Sequence, residues 1–279
     1  MKLRVAVVVS ALLSLACAGL LWDTYSQVTA GPHHSCAIKH DGYVICWGKH
    51  DQGQTSSPGA RFVQVSAGEN HTCGIVTDGT VKCWGSDDDG QSKPPSGIFR
   101  TVSAGKAHTC GITIAGGLQC WGSREYGIQS TPSGVFTQVD ARGENACAVT
   151  SGGAVRCWGK DAPDAPLGSY QQVSVGPDQA CGVRTDKTLH CWGNLEAMLV
   201  GAPGGEWAEV GVGVEFACAR PAEDALMRCW GTARDGQTYQ PFGLYDDLDV
   251  GVHHACAIDR LGGIACWGRD NDGMASPPM

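Results

Sequence analysis

One phrase recurs seven times along this chain, and it narrows the available folds more than any other feature. Its copies are YSQVTAGPHHSCAI from Tyr25, FVQVSAGENHTCGI from Phe62, FRTVSAGKAHTCGI from Phe99, FTQVDARGENACAV from Phe136, YQQVSVGPDQACGV from Tyr170, WAEVGVGVEFACAR from Trp207 and YDDLDVGVHHACAI from Tyr245. They start 37, 37, 37, 34, 37 and 38 residues apart, and each leads to a Cys-Trp-Gly, at Cys46, Cys83, Cys120, Cys157, Cys191, Cys229 and Cys266. A unit this short cannot bury its own apolar face, so neighbouring units must stack. Apolar and β-branched residues alternate within each unit, which is the period of strands and not of helices. Three or four short strands per unit suit a propeller blade, whereas a parallel β-helix has shorter coils and a leucine-rich repeat needs a leucine pattern that is absent. The expected fold is all-β, a seven-bladed β-propeller.

The cysteine spacing selects a hairpin register. In Cys73-Gly-Ile-Val-Thr-Asp-Gly-Thr-Val-Lys-Cys83, Thr77-Asp78-Gly79 reads as a three-residue loop with glycine in the left-handed position. Val76 then faces Thr80, Ile75 faces Val81 and Cys73 faces Cys83 as a non-hydrogen-bonded pair, with Cα atoms about 4.5 Å apart. A two-residue Asp-Gly loop would shift the register by one and place the sulfurs on opposite faces. The same ten-residue separation relates Cys36 to Cys46, Cys110 to Cys120, Cys147 to Cys157, Cys181 to Cys191 and Cys256 to Cys266, while Cys218 and Cys229 are eleven apart. The expectation is one disulfide inside each blade. Zinc sites use gaps of two to four residues within a ligand pair, so nine intervening residues are a poor match.

Fifteen cysteines in 279 residues suit an oxidising compartment. The N-terminus agrees, since Lys2 and Arg4 precede an apolar stretch from Val5 to Leu15, as in a secretory signal. Three readings of its end stay open: cleavage after Ala16-Cys17-Ala18, a lipid on Cys17, or an uncleaved anchor reaching Trp22. Residues 1–18 are thus assigned to a leader or anchor and 19–279 to the repeat domain, with the rest of the chain outside the cytoplasm. Formal net charge is −8 with no cationic run, so nucleic acid is not an expected partner.

The phrase Val-x-Ala-Gly-x-x-His-x-Cys-Ala-Ile, a turn, Val-x-Cys-Trp-Gly and then Gly-Gln resembles the regulator of chromosome condensation repeat, over about 250 residues. The short period is similar to the compact bacterial version in the type II β-lactamase inhibitory protein, and the cysteine pairs resemble those of crinkly-type plant receptor ectodomains. The resemblance implies a seven-bladed propeller. Unit four departs from it at Asp161 to Leu167 and unit five at Asn194 to Val200, where the Gly-Gln segment is replaced, and unit six lacks the Asp-Gly turn. The nucleotide-exchange activity of the chromatin member does not carry over to an exported, acidic, cysteine-rich chain, because function follows a site and not a fold.

The position two before the first cysteine of each unit reads His34, His71, His108, Asn145, Gln179, Phe216 and His254. Residues spread around a propeller axis do not converge to metal-ligand distances, so these side chains are expected at blade junctions. The acidic turns at Asp87-Asp88-Asp89-Gly90 and Asp270-Asn271-Asp272-Gly273 carry no complete calcium-loop series. No metal ion and no cofactor is expected. The seven Cys-Trp-Gly tryptophans are expected in inter-blade packing, while aromatic or apolar residues that break the repeat, Tyr126, Met198 beside Leu199, Tyr239 and Phe242, suit a binding surface.

No nucleophile elbow, zinc-protease helix, phosphate-binding glycine loop or Rossmann fingerprint occurs, which lowers the expectation of an enzyme. The leading functional expectation is a monomeric, non-catalytic extracytoplasmic scaffold that recognises a protein or surface glycan through loops on one propeller face. Candidate contact residues are Glu69, Asn70, Asp87, Asp88, Asp89, Arg124, Tyr126, Asp178, Met198, Glu215, Arg234 and Asp235. Two alternatives compete: an envelope-polymer hydrolase or lyase with carboxylates at the channel mouth, and a secreted inhibitor of a hydrolase. Membrane contact is expected only through an N-terminal lipid or anchor. If blades begin at the His-x-Cys strand, the strand from Tyr25 to Thr29 completes the seventh blade and locks the termini together.

Overall fold

The computed structural model describes residues 23–160, 162–194, 201–223 and 226–278; the leader with Cys17 and the candidate Met198 lie outside the described residues. Each repeat forms one three-stranded antiparallel sheet, giving seven blades whose strands follow one another in chain order. The inner strands are Tyr25–Ala30, Phe62–Ala67, Phe99–Ala104, Phe136–Arg142, Tyr170–Val175, Trp207–Val212 and Tyr245–Val250. Three residues from each of them line a central channel of about 200 Å³.

Blade 2 shows why the sequence adopts this register. Its middle strand is His71–Val76 and its outer strand Val81–Gly85. Val76 N donates to Thr80 O at 2.8 Å, Gly79 takes φ +84° to close the turn, and Ile75 faces Val81 while Cys73 faces Cys83. The Cys73–Cys83 bridge has its Cα atoms 4.0 Å apart, and all seven expected bridges are present, including Cys218–Cys229 across the longer loop. In blade 5 the position of Gly79 is held by Lys187 at φ 67°.

The core lies between blades. Cys36, Ile38 and Val44 of blade 1 pack on Phe62, Val65 and Trp84 of blade 2, and the pattern repeats around the ring. Closure places Tyr25, Val28, Ala30 and Trp47 against Cys256 and Ile258 of blade 7. The conditional expectation for the first strand is therefore corrected. Tyr25–Ala30 pairs with His34–Lys39 inside blade 1, because its hairpin partner follows after only three residues. The ring closes instead by face-to-face packing and by side contacts: Tyr25 N donates to Gly262 O at 2.9 Å, and Met274 O accepts from Trp47 Nε1 and Ser35 Oγ, both at 2.9 Å.

An inner strand exposes one unpaired edge to the channel, and its backbone groups need partners. The preceding blade supplies them. Gln27 donates to Val65 O at 3.0 Å and accepts from Val65 N at 2.8 Å. Gln64 does the same for Val102, Gln138 for Val173 and Gln172 for Val210. In a second tier, Thr29, Ser66, Ser103 and Ser174 hydroxyls accept from the backbone N–H groups of Ala67, Ala104, Ala141 and Val212.

Candidate functional site

The antiparallel order brings the end of each inner strand and the end of each outer strand to the same face. The loops there are joined to each other. Ser86 N donates to Asn70 O at 2.8 Å, Ser123 N to Ala107 O at 2.7 Å, Lys160 N to Glu144 O at 3.1 Å, Asn194 N to Asp178 O at 3.0 Å and Thr232 N to Glu215 O at 2.8 Å. The glycine of Cys-Trp-Gly permits this closeness: Gly85 has φ +98°, and a Cβ on it would stand 2.6 Å from Asn70 O. Neighbouring blades are joined as well, since Glu69 N donates to Gly105 O and Lys106 N to Gly143 O.

Every described candidate contact residue falls on this one face. Asp88, Asp89, Arg124, Tyr126, Asp178 and Arg234 are exposed, and Glu69, Asn70, Asp87, Glu215 and Asp235 are half-buried. Some of them also serve the framework. Asp235 accepts from Arg269 Nε at 3.0 Å and Nη2 at 2.7 Å, tying blade 6 to blade 7, and Asp87 pairs with Lys93 at 2.7 Å. The opposite face carries the middle-to-outer hairpins at Gly42, Gly79, Gly116, Gly153, Lys187 and Gly262. Tyr239 and Phe242 are strongly exposed on the segment leading from Gln237 to the inner strand of blade 7.

The histidine set lies at blade junctions. His34 Nε2 meets Thr72 Oγ1 at 2.7 Å, His71 Nε2 meets Thr109 Oγ1 at 2.8 Å and His254 Nε2 meets Ser35 Oγ at 2.7 Å. Thr72 and Ser35 donate their hydroxyl hydrogens to Gln54 O and Met274 O, so the imidazole Nε2–H groups are the donors. Gln179 and Asn145 reach the next blade directly through Gly213 O and Pro177 O. Burial, the dominant cause, holds His34, His71 and His254 down at about 3 and His108 at about 4, so all four are neutral near pH 7.

Between blades 3 and 4 this face opens into a cavity of about 210 Å³ whose lining includes Asp89, Lys106, His108, Ser123, Tyr126 and Glu144. Glu144 binds Lys106 at 3.2 Å and Lys160 at 3.1 Å, and these bonds hold its carboxyl below the usual range against the opposing effect of burial. Lys160 Nζ also lies 4.9 Å from the centre of the Tyr126 ring. Tyr126 holds φ 53° within the turn Glu125–Gly127, an uncommon conformation for a bulky residue.

Sequence reasoning raised carboxylates at the channel mouth as one alternative but did not name them. In blades 4, 6 and 7 acids replace the usual glutamine or hydroxyl clamps, giving Asp140, Glu209, Asp247 and Asp249. Asp247 Oδ2 accepts from Val28 N at 2.7 Å, and Asp249 Oδ2 accepts from Ala30 N at 2.7 Å and Thr29 Oγ1 at 2.8 Å. Glu209 binds Arg220 at 3.1 Å, and Arg142 reaches from blade 4 to Asp249 at 3.8 Å. Burial raises Glu209, Asp247 and Asp249, with Asp247 adding to the rise at Glu209. The signal was present at the third and fifth positions of each phrase, where Glu or Asp interrupts Gln and Ser. These acids are engaged by the framework that closes the ring.

Residues 25–54, 62–91 and 99–128 match the regulator of chromosome condensation (RCC1) repeat. The crinkly WD40 ectodomain of the Arabidopsis thaliana receptor kinase ACR4 is similar in structure, with 24% identity, 92% of this chain and 99% of that chain covered, and a TM-score of 0.75. The ectodomain of the Physcomitrella patens receptor kinase CR4 has 21% identity, 88% and 74% coverage, and a TM-score of 0.74. Prp20p from Saccharomyces cerevisiae, described with its binding to Gsp1p and histones, has 15% identity, 77% and 74% coverage, and a TM-score of 0.63. These likenesses show a shared propeller fold. No curated protein sequence matches significantly.

Proposed function

We propose that this chain of regulator of chromosome condensation repeats, closed as a seven-bladed propeller, is an extracytoplasmic scaffold that binds a protein partner through the face carrying Glu69, Asp178 and Glu215. One observation carries the reading: the exposed side chains of Asp88, Asp89, Arg124, Tyr126, Asp178 and Arg234 lie together on that face, above a framework whose junctions are hydrogen-bonded by other side chains. The seven disulfides support an oxidising location, since such bonds persist outside the reducing cytosol. The exposed acids Asp88, Asp89 and Asp178 on this face, in a chain of net charge −8, favour a partner with a basic surface.

The test is capture from native envelope and culture medium with two variants beside the natural chain. Glu69→Lys with Asp178→Lys and Glu215→Lys should lose the partner, while Asp41→Lys with Asp186→Lys on the opposite face should retain it. Binding should also weaken as salt rises. Loss with the opposite-face variant alone, or no partner from protein capture at all, contradicts the reading.

A further inference from the structure

The hairpin face, opposite the proposed partner face, collects most of the exposed large apolar side chains among the described residues. Tyr43, Ile114 and Leu261 stand in the middle-to-outer hairpins of blades 1, 3 and 7. Ile98, Val135 and Phe242 stand in the segments that lead into the inner strands of blades 3, 4 and 7, and those strands start on the same face. The partner face carries Tyr126, with Tyr239 at its rim. Several of these side chains adjoin. Ile114 N donates to Ile98 O at 3.1 Å, and a Cβ on Gly116 would stand 2.6 Å from Val135 Cγ1, which brings the three together where blades 3 and 4 meet. Arg260 N donates to Leu244 O at 3.3 Å, so Leu261 sits beside the segment that carries Phe242. Leu261 is 86% exposed and Phe242 90%, and contiguous apolar surface of this kind marks an interaction site.

The chain also enters on this face. Tyr25 N donates to Gly262 O at 2.9 Å and His40 N to Thr24 O at 3.0 Å, which seats Thr24 between the hairpins of blades 7 and 1. Leu20, Leu21 and Trp22 come immediately before Asp23 in the sequence. Cleavage after Ala18, a lipid on Cys17 and an uncleaved anchor all retain them, so each reading of the leader joins apolar residues to the protein at this face. Leucines with a tryptophan suit the boundary between lipid headgroups and acyl chains. The charges then select the kind of lipid. Lys39 pairs with Asp23, Lys187 with Glu206 at 3.1 Å and Arg260 with Asp246 at 3.7 Å. The exposed acids Asp41, Asp78 and Asp186 stand among the exposed Arg61, Arg100 and Arg156. A surface of mixed sign gains little from an anionic leaflet and suits zwitterionic headgroups.

We propose that the hairpin face docks against a zwitterionic lipid bilayer, with Ile114, Val135, Phe242 and Leu261 in the headgroup layer, and so turns the opposite face outward to its partner. The inference rests on the extracytoplasmic reading above, but not on whether a protein partner is captured. It adds a broad surface contact to any attachment through the N-terminus.

The experiment uses the exported chain with its natural N-terminus and follows amide hydrogen exchange with and without phosphatidylcholine vesicles. Exchange in the hairpins at 40–43, 114–116 and 260–262 should slow about tenfold or more on the vesicles, while the loops at 86–91 and 177–178 stay unchanged. Ile114→Ser, Val135→Ser, Phe242→Ser and Leu261→Ser combined should abolish that protection, even where an anchor still holds the chain on the vesicle, and Tyr126→Ser should keep it. Phe242→Ser with Leu261→Ser alone removes two side chains that the fold scarcely packs, and should by itself release the hairpin at 260–262. This pair keeps the test decisive if the fourfold variant misfolds. Absence of protection by vesicles overturns the proposal, as does equal protection of both faces, protection that the pair leaves intact, or protection only by phosphatidylglycerol vesicles. Capture of a protein by the opposite face with no vesicle effect refutes this inference alone. Vesicle protection with no captured protein upholds it and refutes only the protein-binding reading.

Discussion

Trp84 Nε1 donates to the carbonyl oxygen of Gln54 at 2.8 Å, bolting blade 2 to the Gly-Gln segment that follows blade 1. Trp47 with Met274, Trp121 with Gln91, Trp158 with Ile128 and Trp267 with Gln237 repeat the bond at 2.8 to 3.0 Å. Trp192 Nε1 is buried without a partner, because Asp161 to Leu167 replaces the segment that would supply the carbonyl. Trp84→Phe should therefore destabilise the protein by about 1 kcal/mol or more beyond the packing change, whereas Trp192→Phe loses no hydrogen bond and should cost clearly less. Urea midpoints of the two variants, measured side by side, decide it.

Each disulfide closes a ten- or eleven-residue separation inside one blade. Replacing Cys73 and Cys83 together by serine should cost roughly 2–3 kcal/mol in the chain-entropy account and leave the other six bridges intact. Non-reducing peptide mapping should recover the six remaining pairs. Scrambled pairs would show that the register does not hold without the local bridge.

Four buried histidines give the stability a pH dependence whose sign is fixed. Their folded-state values of about 3 for His34, His71 and His254 and about 4 for His108 lie below the unfolded value of about 6.5. The unfolded chain takes up more protons between those limits. Their contribution is thus complete above about pH 6.5 and is lost as pH falls toward 3 to 4, on the order of 1–2 kcal/mol per histidine by pH 5. The raised carboxyls of Glu209, Asp247 and Asp249 act in the opposite sense, weakening the fold as pH rises. His34→Gln with His71→Gln, which copies the residue that Gln179 already places at this position in blade 5, should flatten the loss of stability between pH 6.5 and 5 in denaturant titrations. An unchanged slope would show that groups other than these two imidazoles set the acid response.

Lys187 carries φ 67° where the corresponding turns use Gly42, Gly79, Gly153 and Gly262 at φ +83° to +88°. Lys187→Gly should stabilise blade 5 by about 0.5–1 kcal/mol through relief of the left-handed conformation, offset in part by loss of its surface pair with Glu206 at 3.1 Å. Thermal melting reads the difference directly.

The local architecture was legible because it follows from spacing. Ten residues between Cys73 and Cys83 admit one hairpin register, and the side-chain alternation then fixes which residues meet the next blade. The same alternation puts Glu69, in an inner-to-middle loop, on one face with Arg124 and Arg234, in the loops that follow outer strands. What the sequence concealed is long-range. That Tyr25–Ala30 completes its own blade, that Asp249 meets Arg142 across the channel, and that His108 lacks a hydroxyl all depend on which blade lies beside which. Spacing within a unit does not report on those contacts, although the substitution of Asp247 and Asp249 for glutamine and serine marked the positions where ring closure differs.

The claim that one face meets the partner is tested most directly by hydrogen–deuterium exchange of the intact protein with and without the captured partner. Protection is predicted in the loops at 68–71, 86–91, 123–128, 177–178, 213–216 and 232–236, with the hairpins at 41–42, 78–79, 115–116, 152–153 and 186–187 unchanged. Protection confined to those hairpins, or spread equally over both faces, would contradict it.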